Sequence, residues 1–422
     1  MNRVFFGWWV LLGLLLIYTA NNGILLHTLP LFYPELIQEF GWNEEQVTRP
    51  ASYFFILAAV LTPILGALLD RYSPRIIMAV GIVVVIACLV FYGRISSLGD
   101  LTLVYLIAAV GLAGCGLVPN MLILTRWFMK YRGVAVGILL MGSSLGGAIF
   151  PLIAREAFVS QGWREASQLL TVVGGIMMVA AIILLVRNRP EDHGLSLDGA
   201  ESTRSEPSRA DDAVTGLTLG DALRKPAFYV LLVATGALWF CIVGVLQHQS
   251  IFLGQDLGVD KASLPVIFSV FFWAAMIGKL MFGVLADYFS KTTMLLVSVL
   301  NLMAGLLLLR AADGDNPTSL YLFAVVYGVG FSGAFTMIQL VIAEYFAGPS
   351  YGKILGVFAM FDSVAGSLGI KYLGTLRVAD GSYLPAINHM VGLCVVVAIL
   401  VLALYRLAPR PAALPTTPSA DG

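Results

Sequence analysis

Apolar runs of about twenty residues, the length that crosses a bilayer core as a helix, recur along this chain with short polar breaks between them. Twelve such spans are predicted, over 5–30, 47–69, 75–96, 102–127, 132–157, 165–187, 226–250, 262–286, 292–310, 318–346, 353–376 and 384–407. The runs are continuous rather than alternating, so they read as helices and exclude an outer-membrane barrel. One longer polar stretch, 188–225, separates six spans from six. It contains EDHGLSLDGAESTRSEPSRADDA and is expected to be a flexible linker. The predicted organisation is a bundle over 1–187, the linker over 188–225, a second bundle over 226–410 and a tail over 411–422.

Composition agrees with this pattern. The 422 residues are 59% hydrophobic and 12% charged, with a mean hydropathy of +0.88. A soluble domain carries about 25% charged residues, so a soluble enzyme, a nucleic-acid binder and a disordered scaffold are excluded. Basic and acidic residues both number 25, so the net charge is uninformative and only its placement matters. Sixteen of the 25 basic residues fall on the side of the termini and linker, and seven on the other. The positive-inside rule then puts both termini in the cytoplasm, as expected for a multi-pass protein of the cell's inner membrane. Cys88, Cys115, Cys241 and Cys394 all lie within spans and show no metal or disulfide spacing, so packing is the expected role. The N-terminal run could pass for a signal peptide, but it has an internal partner and is read as a span.

That partner belongs to a repeat at an offset of about 220 residues. Gly23–His27 reads GILLH and Gly244–His248 reads GVLQH. The loop GALLDRYSPR (Gly66–Arg75) is echoed by GVLADYFSK (Gly283–Lys291), and RGVAVG from Arg132 by YGKILG from Tyr351. Spans 5 and 11 share Ser-Leu-Gly, at Ser144 and Ser367. Two parallel six-helix repeats joined by a linker are a transporter plan, and the G-x-L-x-D-R-x-x-R loop resembles the major facilitator superfamily. The resemblance implies an all-α membrane protein, with twelve transmembrane helices in two pseudo-symmetric bundles. It also implies gating at Asp70, Arg71, Arg75 and Asp287, whose charges would pair across the halves in one state and separate in another. Topology and helix capping are the plainer roles for the same residues.

Charges inside spans are expensive and therefore informative. Lys279 lies eight residues before Asp287, about 12 Å inside the membrane edge at 1.5 Å per residue. It is too deep to snorkel and is read as an anion-binding group. Asp362, in span 11, is the candidate proton carrier, and it could pair with Lys279 when the site is empty. His27 and His248 occupy equivalent repeat positions and are candidates for proton or carboxylate binding, His27 for both. Asn120, Tyr327 and Gln247 add polar groups from spans 4, 10 and 7, which line the cavity in the superfamily. Lys371 points away from Asp362 and is expected near the outer mouth.

Further motifs resemble the monocarboxylate transporters and the bacterial oxalate/formate antiporters. They are FFGWWV from Phe5, FYPELIQEFGWN from Phe32, RWF from Arg126 and GWR from Gly162. In that group a span-8 cation, usually arginine, binds the substrate carboxylate, and the matching residue here is Lys279. A preceding aspartate position holds Ala275, and a span-1 lysine position holds His27. The antiporters' second cation falls on Asp362, a charge reversal that suits a monoanion moved with a proton. The expected function is proton-coupled symport of a small monocarboxylate, lactate- or pyruvate-like, by a monomer without a cofactor. A multidrug or metabolite exporter with Lys279–Asp362 as a fixed pair, an organic-acid antiporter and a non-translocating receptor are the alternatives.

Overall fold

A computed structural model describes residues 5–191, 217–346, 348 and 350–407. Most of the linker and the tail predicted from the sequence lie outside the described residues. Twelve helices are long and apolar enough to span a bilayer: α1 Gly7–Phe40, α2 Glu44–Arg71, α3 Pro74–Tyr92, α4 Leu98–Trp127, α5 Arg132–Ser160, α6 Trp163–Leu185, α7 Pro226–Asp256, α8 Leu264–Tyr288, α9 Lys291–Arg310, α10 Pro317–Phe346, α11 Tyr351–Asp380 and α12 Leu384–Leu407. Among the described residues there is no strand. The face where α6 ends and α7 begins is called here the linker face, and the opposite one the far face.

Local chemistry sets the helix ends. Asn43 and Gln46 form a reciprocal capping box at the start of α2, and Ser97 and Asp100 do so at α4. Pro74, Pro226 and Pro265 occupy first-turn positions, where a missing N–H is harmless. Gly41 (φ 67°) and Gly381 (φ 70°) end α1 and α11 in the left-handed region. Before α8, the Asp260 carboxylate accepts from Ser263 Oγ (2.5 Å) and the amides of Ala262 (2.8 Å) and Ser263 (3.0 Å). The Ser263 hydroxyl leads in holding it below the usual carboxylate range.

Several helices depart from regular geometry. α1 and α7 both loosen to wider π-helical turns, Gly23–Thr28 and Phe252–Asp256, the second about eight residues further along the repeat. α1 then continues as far as Phe40, ten residues past the predicted end of span 1. α4 breaks at Gly116, whose backbone is extended, and Asn120 Nδ2 donates to the freed carbonyls of Cys115 (2.7 Å) and Gly116 (2.6 Å).

The repeated Ser-Leu-Gly motif has a packing explanation. A Cβ placed on Gly23 would lie 2.5 Å from Gly146 Cα, and one on Gly244 would lie 3.1 Å from the Gly369 backbone. α1 thus crosses α5, and α7 crosses α11, at the same small-residue contact.

The two halves meet along α2–α11 and α5–α8. At the far face this seam is shut. Ser52 Oγ donates to Ser367 O (3.2 Å), Arg155 Nε donates to Ala262 O (2.8 Å), and the Phe272 ring lies on Gly147. Towards the linker face, Gly66, Gly133, Gly137, Gly283, Gly352 and Gly356 have nothing within 4 Å of where a Cβ would stand. The molecule is therefore open on the linker face and closed on the far face.

Candidate functional site

Lys279 stands where three helices meet beneath the closed seam. Its Nζ donates to Leu140 O of α5 across the inter-half gap (3.3 Å) and lies 5.0 Å over the Phe335 ring of α10. Phe335 in turn contacts Trp239 of α7 edge-on, with centroids 6.0 Å apart. Among the described residues Lys279 makes no ion pair. His27 faces it from the first half and feels its charge. His27 Nε2 is hydrogen-bonded to Ser143 Oγ (3.1 Å), its ring packs on Phe272 (4.2 Å), and its buried Nδ1 has no partner. Thr19 Oγ1, Asn21 Oδ1 and Ser144 Oγ are further buried atoms without a partner. The site thus offers one cation and one imidazole with an unpartnered ring nitrogen beside an aromatic wall.

The expected Lys279–Asp362 pair is not formed. Asp362 is 5% exposed and accepts from Thr235 Oγ1 of α7 (2.8 Å). Thr235 is one turn from Trp239 on α7, and Trp239 contacts the Phe335 ring beneath the lysine rather than the lysine itself.

Other expected residues are engaged elsewhere. His248 uses both ring nitrogens, with Tyr383 Oη at 2.6 Å and Ile370 O at 2.9 Å, and has none left for a substrate. Both contacts tie α7 to the second half's own helices. Asn120 spends its amide on the break in α4, and only its buried Oδ1 lacks a partner. Tyr327 is 1% exposed and stacked with Phe323 (5.5 Å) and Phe271 (5.7 Å), within the packing of the second half rather than towards Lys279. Gln247 accepts from Tyr33 Oη (3.2 Å), which is bonded to Tyr105 Oη (2.6 Å), in the closed seam. Asp70, Arg71 and Asp287 are exposed at the linker face and make no ion pair among the described residues. Arg75 instead caps α6, donating to Ile182 O (3.0 Å) and Ile183 O (3.3 Å), so in this state it clasps its own half. Lys371 is exposed.

Residues 10–369, and again 249–421, match the profile of the Major Facilitator Superfamily. The chain belongs to that superfamily. It is a multi-pass membrane transporter and not an enzyme. Among superfamily relatives, monocarboxylate transporter 13 of Bos taurus is 24% identical over 385 residues, covering 89% of this chain and 84% of its own length. A probable hexose phosphate transport protein of Chlamydia trachomatis is 25% identical over 277 residues, covering 61% and 59%. Among solved structures, a bacterial homologue of the human lysosomal transporter Spinster aligns with a TM-score of 0.72 at 19% identity, over 97% of this chain and 100% of that one.

The superfamily's alternating halves need a closure on each face, and the far-face closure lies in residues that sequence reasoning counted only as topology charges. Arg377 of α11 binds Glu44 of α2 (3.4 Å) and Asp256 of α7 (3.0 Å), with all three side chains at most 15% exposed. Lys261 pairs with Glu35 across the halves at 3.0 Å. A partial signal did exist: acids outnumber bases around the far ends of both halves, so far-side bases such as Arg377 and Lys261 have carboxylates to meet.

Proposed function

We propose that this protein moves a small organic monocarboxylate together with a proton by alternating access. Lys279 binds the carboxylate, and Asp362 or His27 carries the proton. The observation that supports this best is the state of Lys279, an ammonium deep in a span with no carboxylate beside it. Such a group costs about 2.5–3.5 kcal/mol to place in a membrane, and among the described residues a backbone carbonyl and a ring face supply its only compensation. An incoming anion completes that coordination. A single cation, with an acid where a second cation would stand, favours a monoanion over a dianion. Resemblance to a monocarboxylate transporter along most of both chains fits the same chemistry.

In this reading the linker face is cytoplasmic, by the excess of basic residues on it. The described state is then open to the cytoplasm. The protein works as a monomer in the cell's inner membrane.

The test is uptake of labelled carboxylates into proteoliposomes. Lys279→Met abolishes uptake while leaving the amount of folded, monodisperse protein unchanged. Wild-type rates in that variant would sink the assignment. An exporter of neutral or amphipathic compounds is the outcome if Lys279→Met and Asp362→Asn together leave transport intact.

A further inference from the structure

The surroundings of Lys279 carry a statement about the body of the substrate as well as its charge. Two aromatic residues form the wall beside the ammonium: Phe335, whose ring it overlies at 5.0 Å, and Trp239, edge-on to Phe335 at 6.0 Å. Trp239 and Phe335 are partly exposed, unlike the fully packed aromatic rings of this half such as Phe271 and Phe323. They face the gap between the halves, because the lysine above Phe335 reaches Leu140 on the opposite side of it. The Trp239 indole N–H has no hydrogen-bond partner among the described residues. Phe272, on the same helix as Lys279 and about two turns nearer the far face, packs on His27 at 4.2 Å.

From this geometry we infer that the preferred substrate is an aromatic monocarboxylate rather than an acid of pyruvate or lactate size. This inference rests on the reading of Lys279 as the carboxylate anchor. In the empty site the ammonium lies on the ring face of Phe335, a cation–π contact that stands in for an anion. A bound carboxylate draws the ammonium towards itself and exposes that ring face. A substrate ring then packs on Phe335 and against the edge of Trp239, in the offset or edge-on arrangements aromatic pairs favour. The indole N–H is left to donate to a carboxylate or a ring substituent. A two- or three-carbon acid satisfies the ammonium but leaves the aromatic wall uncovered.

The experiment compares phenylacetate and benzoate with pyruvate and lactate in proteoliposomes containing wild type, Trp239→Ala, Trp239→Phe and Lys279→Met. In wild type the KM for the aromatic acids is lower by about tenfold, the order expected for one added ring contact with its buried area. Trp239→Ala brings the ratio of KM values close to one, and Trp239→Phe restores most of the preference. Equal KM values in wild type, or a preference that survives in Trp239→Ala, overturns this inference while leaving the carboxylate reading standing. Transport of both acid classes by Lys279→Met, or of neither by wild type, removes the parent reading and this one with it. Intrinsic fluorescence gives an independent readout should Trp239→Ala fold poorly. Benzoate quenches the wild type, and the quench is lost in Trp239→Phe; equal quenching in both overturns the ring contact.

Discussion

A charged side chain within a span has to be answered by something, and Lys279 and Asp362 are answered differently. Lys279 has a carbonyl and a ring face. Asp362 has one hydroxyl, from Thr235, and no cation among the described residues. Intramembrane acids with so little support mark proton relays in transporters. Asp362→Asn keeps the shape and can still accept from Thr235, but it no longer exchanges a proton. The expected outcome is that uptake down an anion gradient persists while its acceleration by an inward proton gradient is lost, read with a pH dye inside the vesicles. If the proton dependence is unchanged, coupling moves to His27. Both ionisable residues were legible in the sequence because charge is scarce in these spans. Their separation was not, because the spacing of residues within one helix does not say which neighbouring helix a side chain meets. The same limit explains His248, Asn120 and Tyr327. Each is a polar group in a span of the expected kind, yet the first is bonded at both nitrogens, the second closes a helix break and the third is stacked in the second half's own core.

At the level of helices, the length of the apolar runs sufficed to place all twelve spans. Irregularities were less visible. The continuation of α1 to Phe40 is carried by an amphipathic segment that no hydropathy run marks. The small-residue run GLAGCGL (Gly111–Leu117) before Asn120 is the sequence feature that permits the break in α4, since small residues allow a bend. The shared Ser-Leu-Gly was visible as a repeat, but its cause is three-dimensional: Gly369 packs on the backbone of Phe240, and Gly146 on that of Thr19 and Gly23. Gly369→Val therefore pushes α11 away from α7. Overpacking of this kind costs about 1–3 kcal/mol, so the detergent-solubilised protein should melt several degrees lower. Gly283→Val, where nothing lies within 4 Å, is the comparison and should melt near wild type. Equal melting temperatures for the two variants would show that the crossing tolerates a side chain.

For the whole molecule, the decisive asymmetry is between a sealed far face and an open linker face. Sealing is concentrated in Arg377, which joins α11 to α2 through Glu44 and to α7 through Asp256. Removing one partner of a buried charge cluster costs about 3–5 kcal/mol, because the remaining charges are stranded. Arg377→Gln takes the cation away from Glu44 and Asp256 in the closed far face, leaving Asp256 its bonds from the Tyr383 amide and Ser382 Oγ, but lets both carboxylates hydrate when that face opens. The variant's population should therefore shift towards the far-open state. A ligand-free measure is the reaction of an introduced Ser52→Cys with a membrane-impermeant thiol reagent applied from the far side. Ser52 is 5% exposed behind the seal, and the four native cysteines are buried. A shift of only about 1.4 kcal/mol changes the open-to-closed ratio tenfold, so labelling should accelerate by at least that factor in Arg377→Gln. Arg377→Lys retains the charge and should recover most of the protection, since a single guanidinium nitrogen, Nη2, makes both ion pairs. Identical labelling rates in all three backgrounds would mean that the seal rests on the Phe272–Gly147, Arg155–Ala262 and Glu35–Lys261 contacts, which the Ser52→Cys reporter leaves in place, and that Arg377 serves only to orient the chain.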